Sequence, residues 1–127
     1  MAQETAMPLK MTIEPQEWLM FGNTRVRNIH PEPAVFLIDG VGPVLRQAHT
    51  LSFETADTAA KRAYLAVQRL YLKITTDMVE YQAAASALLK DDPTCKDIVL
   101  KANMEMAKGS AYGALRAYRK LLEVPAS

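Results

Sequence analysis

The feature that most limits what this chain can fold into is the placement of its prolines. Five of the seven, Pro8, Pro15, Pro31, Pro33 and Pro43, fall within the first 43 residues, and only Pro93 interrupts the stretch that follows, up to Pro125. Proline removes a backbone donor and blocks a continuing helix, so the first part is restricted to short strands and turns, while the second is free to build long helices. Gly22, Gly40 and Gly42 add to the asymmetry. The break is expected near Glu54 to Asp57.

Within the first part, Leu9-Lys-Met-Thr-Ile13 alternates apolar and polar residues, the mark of a half-buried strand. After a turn at Pro15, Trp18 to Phe21 runs into Gly22-Asn23, a hairpin signal ahead of Thr24 to Ile29. Ala34 to Ile38 and the shorter Pro43-Val-Leu-Arg46 have strand length and composition. About four short strands in a small antiparallel sheet are expected.

The second part carries helical periodicity. Ala60, Ala63, Tyr64, Val67, Leu70, Tyr71 and Ile74 recur at helical spacing, with Thr55, Asp57 or Thr58 as the N-cap. A second helix starts after Thr75 or Thr76, turns Met78, Tyr81, Ala85, Leu88 and Leu89 to one side, and stops before Pro93. Asp92-Pro93 opens a third, with Cys95, Ile98, Val99, Ala102 and Met106 inward and Gly109 as its end. Ser110 caps a fourth, which directs Ala111, Leu115, Tyr118 and Leu122 inward and ends at Pro125. Four apolar stripes need one another, so the fold class is α+β: a small N-terminal antiparallel β-sheet followed by a C-terminal bundle of about four α-helices. A chain of 127 residues suits one domain, β-rich over 8–52 and helical over 57–124.

Composition narrows the function. The net charge is +1, from 15 basic and 14 acidic side chains, so any nucleic-acid affinity must come from a local patch. A lone cysteine excludes an internal disulfide and does not suit a structural zinc. The opening residues lack the basic and apolar regions of a signal peptide, and no apolar run reaches about 18 residues, so a cytoplasmic protein without a membrane span is expected.

Chemistry is sparse. Neither His30 nor His49 has a nucleophile or acid in a recognisable arrangement, and the chain contains no GxxxxGK[ST], GxGxxG or HExxH. The expectation is a protein that is not an enzyme and holds no cofactor or metal. Cys95 is expected in the core, and Trp18 either there or stacked on an unpaired base. What stands out is the first long helix, where Lys61, Arg62, Gln68, Arg69 and Lys73 share the non-core side, Lys73 continuing the stripe at i+4 from Arg69. Leu65 and Leu72 run beside it at a seven-residue spacing, which marks either a central helix or a surface for a partner. Arg116, Arg119 and Lys120 repeat the basic pattern on the last helix, and the strands add Arg25, Arg27 and Arg46.

The segment Thr58-Ala-Ala-Lys-Arg-Ala-Tyr-Leu-Ala-Val-Gln-Arg-Leu-Tyr71 closely resembles the signature of the FlbT family of flagellar regulators, a Thr-Pro-Ala-Lys-Arg followed by an aromatic-rich helix with Val-Gln and a final Tyr. Met7-Pro-Leu-Lys10 is similar to the family's start and Tyr112 to Leu122 to its closing helix, so the resemblance covers about Met7 to Glu123. Ala59 replaces the motif's proline, and Glu14-Pro-Gln-Glu17 stands where a Lys-Pro-Gly-Glu turn is usual. The resemblance implies a protein that binds the 5′ untranslated leader of flagellin mRNA and controls its stability or translation, with repression and activation both found among relatives. On this reading Lys61, Arg62, Arg69, Lys73, Arg25, Arg27 and Arg46 contact RNA. The rival reading is an adaptor that meets flagellin, a chaperone or another flagellar regulator through Leu65 and Leu72. Trp18 to Arg27 and Val44 to Arg46 are also similar, as strand patterns, to the carbon storage regulator family of leader-binding proteins.

Overall fold

The computed structural model describes residues 8–40 and 42–123. The chain divides into two compact units, Met1–His49 and Thr50–Ser127. The boundary falls a little earlier than composition suggests, because the side-chain amide of Gln68 draws the segment before the first helix into the second unit. Leu51 N–H donates to Gln68 Oε1 (2.8 Å) and Gln68 Nε2 donates back to the Leu51 carbonyl (2.9 Å). Both polar ends of a buried amide are thereby satisfied, which makes its burial affordable.

The first unit contains β1 (Leu9–Ile13), β2 (Trp18–Phe21), β3 (Thr24–Arg27), β4 (Ala34–Ile38) and β5 (Val44–Arg46). All pairings are antiparallel, but the strands form two sheets, β1-β4 and β3-β2-β5, where one was expected. Alternation sets the core: Met11 and Ile13 on β1 and Leu19 on β2 are buried together, with Val26, Phe36, Ile38 and Val44 packed against them. Beyond β5, Gln47 lends its side chain to the sheet by accepting from Trp18 N–H (3.0 Å). Asn28, also buried, donates to the carbonyls of Ile13 (2.9 Å) and Glu32 (3.0 Å) and so ties the end of β1 to the loop before β4.

The second unit contains α1 (Ala59–Tyr71), α2 (Val79–Asp91), α3 (Lys96–Ala107) and α4 (Ala111–Glu123). Thr58 caps α1 by accepting from Lys61 N–H (3.1 Å), and Ser110 caps α4 by accepting from Gly113 N–H (3.0 Å). Asp92 accepts from Thr94 N–H (3.1 Å) and launches a 3-10 turn, Pro93–Cys95, that leads into α3. The expected stop at Pro125 lies outside the described residues. Helix α1 packs on α2 and α4, and α4 packs on α3. Alanines at the contacts (Ala63, Ala102, Ala114, Ala117) allow close approach, and Tyr64, Leu72, Leu88, Leu115 and Tyr118 fill the volume between. The Tyr81 and Tyr118 hydroxyls meet at 2.9 Å, and Tyr81 donates to Asn103, so α2, α3 and α4 share one polar link inside the core. Burial pushes both phenols above their ordinary pKa, which keeps them neutral. Cys95 is buried as expected, and burial, then Asp92, push its thiol up.

Two non-glycine residues are left-handed, and each explains a local departure. Gln16 has φ 68 in a turn opened by Pro15 and closed by Glu17 N–H on the Glu14 carbonyl (3.0 Å). That is the second central position of a type II turn, where glycine is favoured, so the position occupied by Gly in the family's usual turn is filled here at a conformational cost. Lys73 has φ 61 just past the end of α1, where Ile74 N–H bonds the Arg69 carbonyl (2.9 Å) and Lys73 N–H that of Leu70 (3.1 Å), a Schellman ending. Gly109 ends α3 in the same way with φ 84. Gln16→Gly and Lys73→Gly are each expected to raise the unfolding free energy by roughly 0.5–1 kcal/mol, the left-handed penalty relieved less the entropy glycine adds to the unfolded chain. Urea unfolding of each variant checks this; a loss of stability in either contradicts the conformational account.

Candidate nucleic-acid interface

The cations singled out in the sequence divide between the units. In the first, Arg25 and Arg27 lie two apart on β3 and face the same way as Trp18 and Met20, their partners across β2. The Arg25 guanidinium lies 4.2 Å from the centre of the Trp18 ring, and Arg27 Nη1 donates to the Gln16 carbonyl (2.8 Å). Trp18 is half-buried with a cation over one face, which combines its two expected roles in part: neither fully core nor a free platform. Arg46 does not join this pair. It is opposite Leu19 on β5, on the other face of the sheet, and its Nη2 donates to the Thr12 carbonyl (3.2 Å) of β1.

On α1 the stripe is only partly a free positive surface. Lys61 pairs with Asp57 at 3.2 Å, and its hydrogen bond holds the Asp57 carboxyl below the usual carboxylate range. Arg69 is held by Glu80 on α2, with both carboxylate oxygens 3.2 Å from Nε, and lies 5.2 Å from the centre of the Phe53 ring. Arg62 is exposed, and no ion pair among the described residues involves it. Lys73 does not continue the stripe at i+4 from Arg69: the left-handed turn that ends α1 carries it off the helix. Gln68 is not on a solvated face either, being buried against Leu51.

Leu65 and Leu72 do not form the exposed surface expected of a partner site. They are 6% and 1% exposed, because α1 is contacted by α2 on one side and α4 on another and has little apolar surface left over. On α4, Arg116 and Lys120 are exposed, but Arg119 is half-buried beneath Tyr112, 6.0 Å from its ring centre.

Phe53 and Glu80 complete the surroundings of Arg62 and carry no signature in the sequence. Phe53 lies in the loop before α1 and Glu80 pairs with Arg69 from another helix; only the approach of α2 to α1 brings them together. With Arg62 and Arg69 they line a cavity of about 170 Å³. Among the described residues there is no cluster of His, Cys, Asp and Glu able to hold a metal, and no helix long and apolar enough to cross a membrane.

Comparison with known proteins agrees with the resemblance noted in the sequence. The family model for "Flagellar protein FlbT" matches residues 9–127. A protein of Rhodopseudomonas palustris (strain TIE-1), named "Probable flagellum biosynthesis repressor protein FlbT", is 33% identical over 92% of this chain and 94% of its own length. A Bradyrhizobium diazoefficiens relative, named "Probable flagellum biosynthesis repressor protein FlbT 1", is 36% identical over 91% of this chain and 81% of its own. One from Caulobacter sp. (strain K31) is 27% identical over 92% of each. No solved structure matches the chain. The matched family is one of flagellar regulatory proteins and not of enzymes.

Proposed function

The chain belongs to the FlbT family of flagellar proteins, and from that premise we propose that it is a post-transcriptional regulator of flagellin synthesis. It binds the 5′ untranslated leader of flagellin mRNA in the cytoplasm and controls the stability or translation of that message during flagellum assembly. The observation that carries this reading is Arg62: within the signature segment Thr58–Tyr71 it alone of the stripe's cations on α1 is both exposed and outside an ion pair among the described residues. With a net charge of +1, backbone contacts must come from such local cations, and Arg25 with Arg27 beside Trp18 offers a second surface on the other unit. A reporter message carrying the flagellin leader tests this. Co-expression of the chain is expected to change reporter output and message half-life, and exchange of the leader for an unrelated one to abolish the effect. An effect that persists without the leader contradicts the proposal.

A second reading is favoured by a different observation. The cleft lined by Leu70, Met78, Tyr81, Asn103 and Met106 encloses about 580 Å³, and its methionines can adapt to an apolar partner. An adaptor that meets flagellin or another flagellar regulator would use this cleft in place of the buried Leu65 and Leu72. Retention of purified flagellin after ribonuclease treatment, lost on Met106→Lys, would favour it over direct RNA control.

A further inference from the structure

We infer that the cavity between Phe53, Arg62, Arg69 and Glu80 is a subsite for one unpaired nucleobase, with Phe53 as the stacking platform and Glu80 as acceptor for the base's exocyclic amino group. This rests on the RNA-binding reading above and deepens it. Phe53 is the most exposed aromatic residue described, at 71%, which has no use in the core of the unit. The Arg69 guanidinium, itself held by Glu80 at 3.2 Å, lies over one face of the ring, 5.2 Å from its centre, so the opposite, exposed face is the one left to stack a base. An exposed aromatic face at the edge of a concavity is what single-stranded recognition uses, because every base offers a π-face.

The polar groups are placed for the rest of a nucleotide. Arg62, exposed at the rim, is free to meet a phosphate, while Arg69 is committed to Phe53 and Glu80 and acts as a positioning residue. Among the described residues the hydrogen bond and ion pair of Glu80 are both to Arg69, which leaves lone pairs on its carboxylate for a further donor. An amino group supplies such a donor, as on cytosine N4, whereas uracil presents carbonyl oxygens there and is disfavoured by the carboxylate.

The test measures affinity for the flagellin leader, for oligocytidylate and oligouridylate of equal length, and for purified flagellin, at one salt concentration. Wild type is compared with Phe53→Leu, Phe53→Tyr and Glu80→Gln, and thermal unfolding confirms that each variant folds. Phe53→Leu is expected to weaken leader binding roughly ten-fold, within the range of one stacked base, and Phe53→Tyr to retain it. Glu80→Gln is expected to narrow the preference for oligocytidylate over oligouridylate. If wild type binds the leader and Phe53→Leu binds it equally, the subsite is wrong and the RNA reading stands. If Phe53→Leu loses only flagellin binding, the cavity belongs to a protein partner and the inference falls. If wild type fails to bind the leader at all, the reading and the subsite fall together.

Discussion

Leu72→Ala is expected to lower the unfolding free energy by about 2–5 kcal/mol, the cost of removing buried methyl groups and leaving a cavity. Leu72 is 1% exposed at the end of α1, and its backbone φ of −78° suits alanine, so the loss would come from packing and not from strain. Leu65→Ala, at 6% exposure, should behave in the same way. Urea denaturation with an unchanged slope checks both. The result separates two accounts of the same seven-residue spacing. A partner surface would leave stability within about 0.5 kcal/mol of wild type, as surface substitutions do, and would reduce binding instead. The burial of both side chains commits α1 to the centre of its unit and leaves Arg62 and Arg69 at its edge.

Arg62→Glu is expected to weaken binding of the flagellin leader roughly ten-fold or more, equivalent to losing about one charge-assisted contact, while stability stays near wild type because the side chain is exposed. Arg62→Ala should also make the dependence of affinity on salt shallower by about 0.7–0.9 in log–log slope, one phosphate contact fewer. The same substitution at Lys61 should do less: its ammonium is shared with Asp57, so part of its charge is already answered. Anisotropy titrations over a salt series read both quantities. Equal losses at Lys61, Arg62 and Lys73 would mean that diffuse charge governs binding and would remove the special place of Arg62.

Much of the fold was legible because it rests on local chemistry. Thr58, Ser110, Asp92-Pro93 and Gly109 each fix a helix end through their own geometry, and Gly22-Asn23 places the β2–β3 hairpin. What was not legible depends on residues that meet only in three dimensions. Lys73 gives no sign of a helix end, since lysine has no preference for φ 61; the Schellman bonds to Arg69 and Leu70 impose it. Gln68 reads as one more polar residue on a solvated face until Leu51 folds over it.

The candidate site divides in the same way. Its cations were legible as a stripe, but their availability was not, because Glu80 reaches Arg69 from the next helix across an 11-residue separation. Alternation within a strand separates Arg25 and Arg27 from Arg46 only once the β2–β5 register is known. Phe53 belongs to no periodic pattern, so neither its exposure nor its contact with Arg69 could be read from spacing.

Direct control of a message by this chain is tested most directly by binding of the purified protein to a labelled flagellin leader, against an unrelated RNA of equal length, at two salt concentrations. Selective binding that weakens as salt rises is the predicted result, with cations such as Arg62 engaging phosphates and unpaired bases supplying the choice of sequence. Equal affinity for both RNAs, or none for either, would contradict it and would assign flagellar regulation to a protein partner.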